Sequence, residues 1–507
     1  MDGGIYDLLV VGGGLGGLAT AALAQRRGLR VALLESHTRL GGCAGWFPRE
    51  PYTFDAGATA LMGLRPGEPL AELFRDVGME FSAEETPSYR VHLPDRTFDI
   101  TPDPDEFGRN LATTFPGREA AHARFWRLQE AVGRRLFDAA SRVPRLPARS
   151  PSDLAHDLRI LGLGGLAAAA TWTLTVGDVL RLLGLADDVP FRSLVAMLLQ
   201  DTAQAGPETV PFANGAACLH AYRAGMSRPR GGMKALAEGL GQRFAALGGD
   251  LRTATVVDRV VPRDGGGFAV ETRRRHRLEA RQVAFNLPLD LASNLLGRPL
   301  SGRLKSGESR SRATWSAVTA YVAIERRAVP DDAPLFHQVL RRYDAPIHDG
   351  NNILISLSPP GDEAYGPAAV RVASMSTHTA PAEWKGLPAA DHAAKKDEFG
   401  GRFAEALARA LPGADDALAH VEIATPRSFA RYTRRALGAV GGAPTSRWNS
   451  NFFAVPADIL GRDLWVVGDS VFPGQGTMAV VLSAIRVVER ITGRPWADRD
   501  RLPAIPA

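Results

Sequence analysis

The stretch IYDLLVVGGGLGGLATAALAQRRGLRVALLE, Ile5 to Glu35, decides the fold. Ile5 to Val11 reads as a buried strand with one acidic interruption at Asp7. Gly12, Gly13, Gly14, Leu15, Gly16 and Gly17 follow at once, and Leu18 to about Arg27 is a helix rich in Ala and Leu, closed by Gly28. A second strand, Arg30 to Leu34, ends on Glu35. Strand, glycine turn, helix, strand and acid within roughly 30 residues form a dinucleotide-binding unit of Rossmann type. Gly12 permits the tight turn, Gly14 lets backbone approach a pyrophosphate, and Gly17 lets the helix pack on the strand. The helix N-terminus offers free N–H groups and partial positive charge to phosphates. Glu35 can accept from ribose hydroxyls, and its charge would repel a 2′-phosphate, which argues against NADP.

Working outward, Arg39-Leu40-Gly41-Gly42 and Phe54-Asp55-Ala56-Gly57 come next. Near the far end, the strand Leu464 to Val467 is followed by Gly468-Asp469-Ser470-Val471-Phe472-Pro473-Gly474-Gln475-Gly476, then by a helix over Met478 to Ile491. A Gly-Asp between strand and helix can be a simple helix cap. Its pairing with the N-terminal unit favours contact with the same ligand.

Together these segments resemble the carotenoid desaturase and isomerase family of FAD enzymes, within the wider flavin amine oxidase group. Gly468 to Gly476 is nearest in pattern to carotenoid isomerases and to desaturases of hydroxylated carotenoids. Pro229 to Met233, Leu251 to Val260, Val283 to Pro288, and Thr425-Pro426 with Tyr432 through Gly442 are smaller matches. The resemblance spans Ile5 to about Ile491 but is specific mainly in the cofactor segments. It implies an FAD cofactor held first by Gly12, Gly14, Leu15, Gly16 and Gly17. Glu35 and Ser36 follow, then Arg39, Leu40, Gly41 and Gly42 around the pyrophosphate, with Gly57 and Ala58. The Val257 backbone would meet the adenine, and Gly468, Asp469, Gly476, Thr477 and Met478 the ribitol and flavin.

The expected fold class is α/β: a Rossmann-type FAD lobe, flavin amine oxidase-like, with a discontinuous α+β substrate lobe. The FAD lobe takes 1–105, 228–292 and 456–493. A helical, membrane-associating region takes 106–227, and a substrate domain takes 293–455, with strands at Ala317 to Ile324, Ile353 to Leu357 and Val370 to Met375 and a helix near Lys396 to Leu411. The Pro-rich tail, 494–507, is expected to be loosely held.

With 507 residues, 45% hydrophobic and 23% charged, the chain can bury a large core and needs more than one lobe. Two cysteines, Cys43 and Cys218, exclude a disulfide framework and a cysteine-rich metal site. The histidines lack metal-ligand spacing, so no metal is expected. A covalent flavin link through Cys43 is less expected than a packed small residue. A net charge of +5 admits an anionic partner. The densest basic run, Arg273 to Arg277, sits where a hairpin turn exposes it, and no aromatics interleave, so no nucleic-acid partner is expected. The N-terminus lacks a basic, uninterrupted apolar signal, which points to a cytoplasmic protein. Ile160 to Gly177 carries no charge. Its readings are a buried helix, a helix dipping into a leaflet, or, least of all, a span. Peripheral attachment to the cell membrane is the corresponding expectation.

The resemblance implies a long apolar polyene substrate. Desaturation is favoured, with oxygen or a quinone as electron acceptor. Cis–trans isomerisation on reduced FAD, flavin amine oxidation and a non-catalytic lipid escort are the alternatives. No residue announces itself as acid or base. Tyr432, Arg434 and Arg435 are the candidates that the matched loop offers.

Overall fold

The computed structural model describes residues 4–501. Strand Tyr6–Val11 lies inside the first sheet because Leu8 to Val11 are apolar on both faces, as a doubly covered parallel strand requires. It pairs in parallel with Val31–Leu34 on one side and Arg277–Phe285 on the other. Across that sheet the order is Val257–Pro262, Phe268–Thr272, Arg277–Phe285, Tyr6–Val11, Val31–Leu34, Asp250–Arg252, and Leu464–Val466 pairs in parallel with the end of Arg277–Phe285. Helix Leu15–Arg26 packs on helices Gly232–Ala246 and Thr477–Thr492 over this sheet. The N- and C-terminal segments that looked alike in purpose therefore meet in space. The basic run occupies the exposed turn between Phe268–Thr272 and Arg277–Phe285, as expected.

The second sheet has seven strands, ordered Leu418–Ala424, Ser316–Glu325, Val370–Thr379, Asn352–Leu357, Phe336–Leu340, Tyr89–Leu93, Arg96–Ile100. Helix Ala389–Ala410 covers one face through Phe399, Phe403 and Leu407. Helices between Pro104 and Ala224 form the remaining body.

Two expectations change, and a third stretch takes a particular form. The hairpin over 89–100 was assigned with the FAD lobe, yet it extends the second sheet, with Tyr89–Leu93 parallel to Phe336–Leu340. The reason is packing: Tyr89, Val91, Leu93, Phe98 and Ile100 share one core with Phe191, Phe212 and Phe336 under the helical region. The tail is docked at its start. Trp496 is buried between Arg27 and Arg499, whose guanidinium carbons lie 5.1 and 5.0 Å from its ring centre, and Arg499 donates to Glu72. The rest of the tail, 502–507, lies outside the described residues. The uncharged stretch begins in helix Pro151–Ala170, which breaks at Gly162 (φ 57°, ψ −174°). No helix of the described residues is long and apolar enough to cross a membrane.

Buried histidines tie stability to pH. His92 and His337 stack, with ring nitrogens 3.2 Å apart. Burial pushes His92 down to about 4 and His337 to about 3, with Arg90 adding repulsion. Burial also pushes His378 down to about 4. The unfolded chain takes these protons near pH 6.5, whereas the folded chain does so only near 4 or below. Their contribution is therefore complete above about pH 6.5 and is lost as pH falls through that window, by ~1.4 kcal/mol per pH unit for each excluded proton. Urea unfolding at about pH 7 and about pH 5 should show this loss. His337→Gln should make the slope shallower, and an unchanged slope would remove these histidines from the account.

Candidate active site

One cavity of about 1120 Å³ runs between the two sheets. Every residue assigned from the sequence lines it except Gly17: the first-turn residues, Glu35 and Ser36, Arg39 to Gly42, Gly57 and Ala58, Val257, Gly468, Asp469, Gly476 to Met478, and also Tyr432, Arg434 and Arg435. Gly17 stands behind it. A Cβ there would lie 2.0 Å from the Gly12 carbonyl oxygen, so glycine is required for helix-to-strand packing.

The glycine turn leaves helix N–H groups facing the cavity. Helix Leu15–Arg26 has no side-chain cap at its N-terminus and no acid in its first turn, and the same holds for helix Thr477–Thr492. Both leave first-turn N–H groups without a side-chain acceptor where they reach the cavity. Gly12 (φ 105°) and Gly41 (φ 115°) hold left-handed turns that L side chains rarely adopt. Gly14 bridges to Gly41, and the Gly41 N–H donates to the Gly13 carbonyl at 2.8 Å. Glu35 accepts from the N–H groups of Gly13 and His37, both at 2.6 Å, which aims its carboxylate beside the turn.

The need for glycine at 14 differs from the sequence reading. Its absent Cβ would sit 2.6 Å from Asn286 Nδ2, not simply in the path of a ligand. Asn286 also borders Gly16, Gly17 and Gly468. It follows strand Arg277–Phe285, and its N–H donates to Val11 at 2.9 Å. Sequence reasoning placed this residue only inside a strand-to-loop return. Its position at the end of a strand neighbouring the first was the available signal.

The catalytic candidates separate. Tyr432 is 58% exposed at the cavity mouth, edge-on to His37. Arg434 is exposed and ends helix Pro426–Thr433 in a left-handed conformation. Arg435 turns inward, donating to Asp469 at 2.6 Å and to the Gly441 carbonyl at 2.7 Å. Burial opposes its charge, but Asp469 more than compensates and holds its pKa above the usual arginine value. An arginine so fixed orients Asp469 and is unsuited to proton transfer. Burial pushes the Cys43 thiol up, so the reactive thiolate is disfavoured there.

Behind Gly57, Asp55 is buried against Arg228 (2.9 Å) and accepts from Tyr365 (2.9 Å) and the Met233 N–H (2.8 Å). Tyr321 donates to the Ala56 carbonyl at 2.5 Å. This network joins the cofactor loop to the second sheet.

Residues 15–424 match the family described as flavin containing amine oxidoreductase. The chain belongs to that family. It is an FAD-dependent oxidoreductase, and the turn, the Glu35 carboxylate and the two uncapped helices fit FAD. The chain is 24% identical to a chloroplastic prolycopene isomerase of Arabidopsis thaliana over 97% of its own length and 83% of that protein. It is 25% identical to a lycopene-forming phytoene desaturase of Paracoccus sp., covering 94% of this chain and 95% of that one. The resemblance to the carotenoid desaturase and isomerase group is thereby borne out. Among solved structures, an oxidoreductase from Methanosarcina mazei shares the fold, with TM-score 0.65 and 15% identity over 95% of this chain and 99% of the other.

Proposed function

We propose that this enzyme desaturates a long carotenoid-type polyene, hydroxylated carotenoids included. The observation that carries the reading is the continuity of the cavity. The same space that holds the glycine turn extends past Phe137, Ala140, Ala221, Met226, Phe336 and Leu354. An apolar chamber opening onto a flavin site suits a long and mostly apolar substrate and excludes water from the reaction. Bound FAD supplies the two-electron acceptor. The residues proposed to hold it are those of the turn, Glu35, the paired glycines and the 468–478 segment. Reoxidation is assigned to oxygen or a quinone.

Isomerisation is the second reading, favoured by the likeness to prolycopene isomerase over 97% of the chain. It leaves hydrogen count unchanged and needs reduced FAD at the outset. Pigment analysis of a deletion strain tests the choice. Accumulation of a precursor richer by two hydrogens supports desaturation, and accumulation of a cis isomer of the same composition supports the second reading.

We also assign the protein to the membrane periphery. Leu154, Leu158, Leu163 and Leu166 are exposed on helix Pro151–Ala170, Leu163 by 90%. Exposed Trp448 and Phe453 lie at the turn that follows this helix, with Phe452 exposed beside them: Trp172 stacks on Phe453, Trp448 packs edge-on against Phe453, and Arg447 donates to the Thr173 carbonyl at 2.6 Å. Asn451 donates to Asn214, which lines the cavity, so this apolar patch lies beside the chamber. Leu163→Lys and Trp448→Lys together should weaken flotation with anionic liposomes by roughly tenfold or more, since each lost apolar side chain forfeits ~1.5–3 kcal/mol of burial. Unchanged flotation would remove this face from the proposal.

A further inference from the structure

The cavity lining contains four carboxylates: Glu35, Asp201, Glu422 and Asp469. Three are committed. Glu35 accepts from backbone N–H groups, Glu422 from Arg49 at 2.6 and 2.8 Å, and Asp469 from Arg435. Asp201 has no ion-pair partner among the described residues. Its only hydrogen-bond donor there is the Tyr222 hydroxyl, at 2.8 Å.

Its surroundings place it at the junction of cofactor segment and chamber. Asp201 belongs to the last turn of helix Val189–Thr202. The next residue, Thr202, accepts from Gln475 Nε2 at 2.9 Å, and Gln475 directly precedes Gly476. Ala217, Cys218 and Ala221, on helix Phe212–Ala224, line the same wall. Tyr222 is buried, donates also toward the Leu198 carbonyl and packs edge-on against Tyr89.

We propose that Asp201 is the catalytic residue that receives the substrate's proton, with Tyr222 as its positioning residue. The assignment rests on the desaturation reading. Desaturation removes one hydrogen with its bonding pair, for which bound FAD would supply the acceptor, and one hydrogen as a proton. On the adjacent carbon the C–H bond breaks, its electron pair becomes the new C=C bond, and the proton passes to an Asp201 carboxylate oxygen. Of the four carboxylates in this cavity, Asp201 is the one that, among the described residues, accepts from neither a cation nor a backbone N–H. Burial raises its pKa, with the Tyr222 bond opposing. The other titratable groups facing it are Tyr89 and Cys218, both held protonated by burial.

Asp201→Asn keeps the shape and the acceptor for Tyr222. Bound FAD and thermal midpoint should stay at wild-type levels, while kcat falls by about 100-fold or more with KM changed only a few-fold. Infrared titration of the substrate-free protein supplies the independent readout. Burial also raises Asp55, Asp157 and Glu489, so the wild-type minus Asp201→Asn difference spectrum is the measure: it should contain one carboxyl component that titrates above the ordinary aspartate range. Tyr222→Phe removes a bond that favours the charged form, so the rising limb of the kcat profile should move to higher pH. A kcat within about threefold of wild type in Asp201→Asn, with FAD retained, overturns the assignment, and so does a wild-type minus Asp201→Asn difference spectrum that contains no titrating carboxyl component. A wild-type protein that changes no polyene overturns the proposed function instead, and the difference spectrum then still reports whether Asp201 is the protonatable group.

Discussion

Gly14→Val protein should purify colourless. A side chain at 14 begins with a Cβ 2.6 Å from Asn286 Nδ2, in a turn already closed by Gly41 and with Gly42 packed near 14. The valine methyls must displace Asn286 from Gly12, Gly16 and Gly468 together or project toward the first-turn N–H groups. Either route disorders the glycine turn proposed to hold the phosphates, and FAD affinity should drop by at least about 100-fold, equivalent to about 2.8 kcal/mol. Fluorescence titration of the apoprotein with FAD reads this, with circular dichroism confirming the fold. Gly14→Ala combined with Asn286→Ala separates the two routes. Recovery relative to Gly14→Ala alone assigns the loss to the collision with Asn286, and no recovery assigns it to the ligand's own path.

Arg228→Met should be the most destabilising single change among the residues that frame the site. Arg228 and Asp55 are 0% and 1% exposed at their side chains, and the pair ties the loop after Asp55 to the second sheet through Ser356 and to Tyr365 in the connection between two of its strands. Removing the guanidinium leaves a carboxylate buried without its cation, which costs about 3–5 kcal/mol. Replacing both partners, as in Asp55→Leu with Arg228→Met, should recover much of that loss, because the uncompensated charge is then gone. Urea unfolding gives the comparison. FAD content should fall in the single variant, since Gly57 and Ala58 follow Asp55 directly in the cavity wall. A single variant within about 1 kcal/mol of wild type would show that the pair does not hold the lobes as described.

Much of this was legible in the sequence because it is local. The turn at 12–17, the acid at 35 and the uncapped helix after Gly476 each occupy a few consecutive residues, and their geometry follows from glycine and helix-terminus chemistry. The central strands of the second sheet were also legible: Ala317 to Ile324 proved to lie within Ser316–Glu325, and Val370 to Met375 within Val370–Thr379. What escaped is what distant pairing decides. Tyr89–Leu93 joins the second sheet through residues some 250 positions away, and nothing in its own alternation says which sheet it will extend. Trp496 looked like part of a loose tail, and it is docked by groups outside that tail: Arg27 over its ring, Glu489 accepting from its N–H, and Glu72 holding Arg499 beside it. Asp201 carried no motif. It becomes conspicuous once the other cavity carboxylates are seen to have partners.

The central proposal is that this enzyme removes two hydrogens from a polyene, with bound FAD supplying the electron acceptor. Oxidised, FAD-loaded enzyme should be mixed anaerobically with liposomal carotenoid, following flavin absorbance and product mass in one turnover. The account predicts bleaching of the flavin matched by a product lighter by two hydrogens. A product of unchanged mass, formed only after chemical reduction of the flavin, would contradict it and establish isomerisation in its place.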